Sequence, residues 1–386
     1  MKSFKTWHLP WEGRNVPHAL LDIIRGCNIT CEACYNNRPP AVKPLPQIES
    51  ELDALQRQRR LSSVSLVGGE VLLHPQLDDI VRMIKRRRID VEIFTNGVLL
   101  TDDRLAELKR VGLDVVFIHI ESGQGRPDLP EHTTLAQLRE LWQAKSAMVA
   151  RHGIDAALAL TAHANRLSEM DAIIRFIVES AHVHYLLITL YRDLTDVACI
   201  RGDLVRGMTA EWHPDALPRR ADAMTNVQIL DRLKRTMGLR PFAYLGSNVD
   251  HSDPRWLSYM VATSRSREGR LTEYSVKASC FEKAFVHMLR LASGRFPMYR
   301  KQNSRQLAIQ LVLNGLTGGD CKGNFPFLRS ALRNGTPLLA KRILFQCPAE
   351  VDAAGHVIHC AHCPDAVIQE GRLIPVCLTD KWAADP

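Results

Sequence analysis

The chain has 386 residues, 46% of them apolar and 24% charged, with a formal charge of +8. That balance describes an ordinary globular protein, long enough for two domains or one large domain with an extension. No window approaches the roughly 18 apolar residues of a membrane span, and the N-terminus lacks an apolar signal-peptide core. A cytoplasmic location is therefore expected, and the charge alone is no footprint of nucleic-acid binding.

From about residue 18 to about residue 200, strand-like and helix-like patterns alternate. Strands are predicted at Ala19–Ile24, Ser63–Val67, Val91–Phe94, Val115–Ile120, Ala156–Thr161 and Tyr185–Leu190. Leu77–Arg88 places Leu77, Ile80, Val81 and Ile84 on one helical face. Asp102–Val111 is a helix predicted from Thr101 as N-cap and Gly112 as terminator. Leu135–His152 and Ser168–Ser180 complete the helices. Six βα units in a row predict an α/β fold with a parallel sheet covered by helices. Six is too few for an eight-stranded barrel, and a doubly wound open sheet is the alternative that periodicity leaves standing.

Residues 205–345 read as a helical, basic region without strand–helix alternation; Phe281–Leu291 and Gln306–Leu313 have helical spacing. Residues 346–386 are turn-rich and cysteine-rich. The expected organisation is an N-terminal arm (1–17), an α/β domain (18–204), the helical region (205–345) and a small C-terminal extension (346–386).

Cys27, Cys31 and Cys34 form a C-x3-C-x2-C loop just behind the first predicted strand. Three thiolates with no fourth nearby suggest an iron–sulfur cluster with one iron open to chemistry, whereas zinc normally takes four ligands. Gly68-Gly69-Glu70 ends the next strand, where glycines allow close backbone approach. Together these segments, with the Val-Leu-Leu-His-Pro that follows, resemble the radical S-adenosylmethionine (radical SAM) superfamily.

That resemblance implies a partial (β/α)6 TIM-type barrel and a [4Fe–4S] cluster on Cys27, Cys31 and Cys34. The open iron would take the amino and carboxylate groups of SAM. One electron from the reduced cluster then breaks the sulfur–C5′ bond and releases a 5′-deoxyadenosyl radical; the cofactor carries the hard chemistry and the protein positions the parts. A reductase such as flavodoxin or ferredoxin would supply the electron. Gly68, Gly69 and Glu70 match the segment near the methionyl amino group, and Asn96, in Thr-Asn-Gly, a position close to SAM. Glu121 and Ser122 stand where the family holds the ribose hydroxyls, and a carboxylate can accept both protons. The aromatic residue that usually precedes the third cysteine is replaced by Ala33, leaving Tyr35 as the candidate adenine contact. His119 shares a strand face with Glu121. Tyr191 and Arg192, at the sixth strand end, are looser candidates for the SAM carboxylate or the substrate.

Cys347, Cys360, Cys363 and Cys377 run C-x12-C-x2-C-x13-C. Four thiolates can close a metal site. The Gly355–Cys360 piece resembles the hairpin of the SPASM and twitch extensions, which implies one auxiliary [4Fe–4S] cluster. A structural zinc site, helped by His356, His359 and His362, and no metal at all are the alternatives. The expected activity is hydrogen-atom abstraction from a small-molecule or natural-product substrate. Peptide maturation comes next, then RNA modification, for which the basic stretch Arg295–Arg305 is the only signal. A zinc-binding nucleic-acid or regulatory protein is the non-enzymatic rival.

Overall fold

The computed structural model describes residues 6–32, 34, 40–191, 200–201, 224–298, 302–351, 357–379 and 382–383. Ala33, Tyr35, Arg192, Gly355, His356 and Tyr299, singled out above or lying in the segments discussed, fall outside those residues.

The first half alternates as the sequence predicts. It runs β1 (Trp7–His8), β2 (His18–Ile24), α1 (Leu45–Gln58), β3 (Ser63–Gly68), α2 (Leu77–Arg86), β4 (Asp90–Thr95) and α3 (Asp102–Val111). It continues through β5 (Val115–His119), α4 (Leu135–Arg151), β6 (Asp155–Ala162), α5 (Leu167–Glu179) and β7 (Val183–Leu190). The helix ends follow local chemistry. Thr101 accepts from Arg104 N at the start of α3, and Gly112 takes a left-handed φ of 98° at its end. Thr134 and Gln137 form a reciprocal capping box on α4.

Strands β2 to β7 lie side by side in chain order, and every pair is parallel. A doubly wound sheet would reverse its order at a switch point. One-way winding is the barrel pattern, so the six units form a partial (β/α)6 sheet that does not close among the described residues. Along each strand, alternate residues face opposite layers. Leu21, Leu66, Val116, Leu158 and Leu186 pack against the outer helices, with Ile80, Ile84, Leu105 and Trp142 in the same core. Phe117, Ala157, Tyr185 and Leu187 face the concave side, in a second core with Trp11, Phe242, Trp256 and Leu344.

The later chain corrects the expectation of a wholly helical stretch over 205–345. After β8 (Ile200–Arg201) and α6 (Asn226–Met237) come β9 (Ala243–Gly246), β10 (Pro254–Arg265) and β11 (Leu271–Val276). Then follow α7 (Cys280–Ser293), α8 (Ser304–Leu316), α9 (Cys321–Asn334) and β12 (Leu338–Gln346). Strand β12 joins β7 in parallel, β10 runs antiparallel to β12, β9 pairs with β10, and β1 closes the far edge beside β9. The N-terminal arm is thus part of the same sheet. The tail adds β13 (Glu350–Val351) with β14 (Val357–Ile358), and the hairpin β15 (Ala366–Gln369) with β16 (Arg372–Pro375); β17 (Trp382–Ala383) pairs with β8.

A buried polar network pins the tail to the barrel. Arg59 donates to the carbonyls of His18, Pro364 and Cys363. His18 meets Ser63 at 2.7 Å, Ser65 donates to Glu92 at 2.6 Å, and Asp365 lies 3.7 Å from His18. No helix of the described residues is long and apolar enough to cross a membrane.

Candidate active site

The loop carrying Cys27, Cys31 and Cys34 leaves β2 at the C-terminal rim of the parallel sheet, and three neighbouring strand ends hold it. The first is Gly68–Glu70. Gly69 N donates to Ile24 O at 2.6 Å, and Glu70 N to Gly26 O at 2.8 Å. A Cβ on Gly68 would strike the Ile24 carbonyl, and one on Gly69 the Gly26 carbonyl. Gly68 also has a φ of 141°, a conformation that side chains other than hydrogen rarely allow. The glycines are needed because the cysteine loop's entry lies directly against their backbone.

Glu70 is fully buried, and its side chain faces the protein. It accepts from Leu72 N at 3.0 Å, Thr95 Oγ1 at 2.7 Å and Asn96 N at 2.8 Å. Burial raises its pKa in spite of those three bonds. Glu70 therefore ties the end of β3 to the end of β4. Asn96 carries the connection onward: its Nδ2 donates to Asn28 Oδ1 at 2.7 Å and lies 3.8 Å from Cys27 Sγ, while its Oδ1 accepts from Val98 N.

The third support follows β5. Glu32, between Cys31 and Cys34, donates its amide to Gly123 O at 3.0 Å, and its carboxylate pairs with Arg166. Gly123 has a φ of 74° and faces the Glu32 carboxyl; Gly125 faces Thr30. Ser122 is held through its amide and its hydroxyl by Glu169 of α5, at 2.9 and 2.7 Å. Glu121 Oε2 accepts from Thr161 N at 2.5 Å and lies 2.9 Å from His119 Nε2. Burial pulls the His119 pKa down, but the charge of Glu121 and its hydrogen bond together outweigh it and the net shift is upward. Among the described residues nothing donates to the other oxygen of Glu121.

Several groups here carry no sequence motif. Arg126 is buried and donates to Asn96 O at 3.0 Å and to Gln124 Oε1 at 2.8 Å, and pairs with Asp128 at 2.6 Å. It is the cation that counters the Cys31 thiol, whose pKa burial, Cys34, Glu121 and Cys27 push up to about 12. Arg166 and Glu169 act through Glu32 and Ser122. Their signal would have been charged residues at the start of the helix behind a strand end. His163 and Tyr191, ending β6 and β7, stack at 4.6 Å and form a flat aromatic edge on the same rim.

The second set of cysteines converges in the tail. Cys360 and Cys363 are hydrogen-bonded to each other, and Cys363 also raises the pKa of Cys377, which burial pushes up to about 12. Ala349 N donates to Cys377 Sγ at 3.4 Å. Arg255, raised by Cys347 and Glu350 against its burial, stands beside Cys347 and Cys377; Arg59 stands beside Cys360 and Cys363. None of the seven cysteines is in a disulfide. Among the described residues no three His, Cys, Asp or Glu side chains are already closed to metal-binding geometry. His359 bonds to the Cys360 carbonyl, and His362 Nδ1 accepts from Gly13 N. Arg295 and Phe296 of the basic stretch serve the fold: Arg295 donates to the Leu61 and Arg88 carbonyls, and Phe296 is buried.

Comparison with known proteins agrees with this site. The chain is 30% identical over 105 residues to the tungsten-containing aldehyde ferredoxin oxidoreductase cofactor-modifying protein of Pyrococcus furiosus, covering 26% of this chain and 30% of that one. It is 36% identical over 114 residues to GTP 3',8-cyclase of Chlorobaculum tepidum, covering 28% and 34%. The chain thus spans about a third of the length of these relatives. Streptococcus suis SuiB bound to S-adenosylmethionine aligns at a TM-score of 0.38 and 16% identity, over 58% of this chain and 49% of that one. Residues 21–157, which contain the cysteine loop and its three supports, match the Radical SAM superfamily profile.

Proposed function

We propose that the chain is a radical SAM enzyme whose rim loop holds a [4Fe–4S] cluster on Cys27, Cys31 and Cys34. The observation that carries this is the convergence of Gly68–Glu70, Asn96 and Gly123–Gly125 on that one loop. The residues fit such a group. Two of the three cysteines are exposed at the rim and the third is half-buried, the donors are all sulfur, and Arg126 offsets thiolate charge from below. When bound, the cluster and SAM would supply radical chemistry for abstracting a hydrogen atom. The chain's own residues fix the loop, exclude water beneath it, and leave one Glu121 oxygen at the rim for ligand hydroxyls. Tyr35 and Ser122 belong to the same proposed SAM site, Ser122 through its neighbours because its hydroxyl is already engaged.

The substrate proposed is a small molecule or natural product; the relatives' printed names include a cofactor-modifying protein and a nucleotide cyclase. A peptide substrate is the second reading. The tail is proposed to hold an auxiliary [4Fe–4S] cluster on Cys347, Cys360, Cys363 and Cys377, supported by the guanidinium of Arg59 beside Cys360 and Cys363 and that of Arg255 beside Cys347 and Cys377. Zinc is the competing occupant.

Iron, sulfide and zinc counts after anaerobic reconstitution test both parts. About eight irons per chain are expected, with about four lost in Cys27→Ala/Cys31→Ala and about four lost in Cys360→Ala/Cys363→Ala. Zinc without sulfide in the tail would overturn the auxiliary cluster, and the same result throughout would overturn the enzyme reading.

A further inference from the structure

On the concave side, away from the rim, the sheet face of β1, β9, β10 and β12 meets helices α7 and α8 around a cleft of about 320 Å³. That is within the size of small-molecule sites. Its walls are mostly aromatic and apolar, among them Trp11, Phe242, Trp256, Phe281 and Val286, and Arg342 of β12 enters it from the sheet. In the β12–β7 register Arg342 pairs with Tyr185 and Gln346 with Thr189. Four residues of strand put Arg342 about 13 Å below the rim level.

Arg342 has no hydrogen-bond acceptor, and no carboxylate within ion-pair distance, among the described residues. Glu282 is the acid beside it, but its oxygens are taken. Oε2 accepts from Ser279 N at 2.8 Å and Ser279 Oγ at 2.5 Å; Oε1 accepts from Asn314 at 2.9 Å and Gln310 at 3.2 Å. Burial lowers the Arg342 pKa, with Tyr185 and Glu282 acting the other way. A guanidinium stays charged even so. Arg342 is partly exposed and its charge opens onto the cleft, so an anion bound there would compensate it.

We propose that this cleft is a second binding site, for a small aromatic or apolar molecule bearing a carboxylate or phosphate. Its body lies against Trp11, Trp256 and Phe281, and its anion takes the donors of Arg342. The inference does not depend on the cluster, and it goes beyond the proposed reaction.

Calorimetric titration of the full chain with 2-naphthoate, 2-naphthyl phosphate and neutral 2-naphthamide tests it. One of the anions should bind saturably, at least about tenfold tighter than the amide; the tighter of the two assigns carboxylate or phosphate. Arg342→Met should bring the anion down to the amide's affinity without lowering the melting temperature. Val286→Trp, which fills the cleft from α7, should abolish binding of all three. Equal affinity for amide and anions, unchanged binding in either variant, or a lower melting temperature in Arg342→Met would overturn the proposal. So would a concentration-dependent dimer that Val286→Trp disrupts, since the cleft would then be a face between copies.

Discussion

Replacing Glu70 with Gln tests whether this residue acts as a clamp between strand ends. The carboxylate accepts from two backbone amides, Leu72 N and Asn96 N, and from Thr95 Oγ1. A glutamine has one carbonyl oxygen. If that oxygen faces Leu72 and Thr95, the NH2 group confronts Asn96 N–H. If it faces Asn96, Leu72 N–H loses its acceptor, while Thr95 can reverse its hydroxyl. Either orientation orphans one buried amide and one charge-assisted bond, worth about 1.5–3 kcal/mol. The cost is nearer the lower end because burial already disfavours the charged carboxylate. With an unfolding entropy of about 2.1 cal/mol/K per residue, a cooperative unit of this size would melt about 2–4 °C lower. Circular dichroism melts of the cluster-free chain read this without any contribution from iron. A residue that acted by touching SAM would instead weaken SAM binding and leave the melt alone. An unchanged melting temperature together with a raised KM for SAM would refute the clamp.

Two further outcomes follow from the same geometry. Gly123→Ala places a methyl against Glu32 and Arg166 at a positive φ, costing about 1–2 kcal/mol and loosening the loop; proteolysis between residues 27 and 34 should speed up and iron uptake at limiting iron should fall, and unchanged values for both would contradict the docking described here. His18 is buried, and burial and Arg59 lower its pKa to about 3. The unfolded imidazole takes its proton below about 6.5 while the folded one stays neutral, so acidification from 6.5 toward 3 removes stability. Asp365 and Glu92 share the network and are raised by burial, opposing this trend in the whole protein. The test is therefore the difference between wild type and His18→Gln, which should shift by about 2 kcal/mol between pH 7 and pH 5 in urea unfolding; a flat difference would refute the neutral buried His18.

The βα half was legible because its strands alternate with amphipathic helices, two of which, α3 and α4, are capped by threonines. Thr101, Gly112 and the apolar stripe of Leu77–Ile84 marked their elements to within a few residues. The strands of the second half were hidden for physical reasons. Strand β10 is buried along both faces, so it has no alternation, and β12 carries Lys341-Arg342 in its middle. Lys341 is buried and satisfied by the carbonyls of Ser180 and Val183, which no single-sequence pattern announces. At the rim, Gly68–Glu70, Asn96, Glu121 and Ser122 stand at the strand ends where the sequence placed them. Their partners were illegible, because Arg126, Arg166 and Glu169 act through tertiary contacts and sit in no motif. Glu70 shows the limit most clearly: its place was readable, while the direction of its carboxylate depends on Thr95 and Asn96 of the neighbouring strand.

The most direct test of the central claim is the yield of 5′-deoxyadenosine from the anaerobically reconstituted chain given SAM and dithionite. The account predicts product from the wild type and from Cys360→Ala/Cys363→Ala, though less from the latter, and none from Cys27→Ala, Cys31→Ala or Cys34→Ala. Product that persists after loss of any of those three cysteines, or no product from a wild type carrying a full iron and sulfide complement, would contradict it.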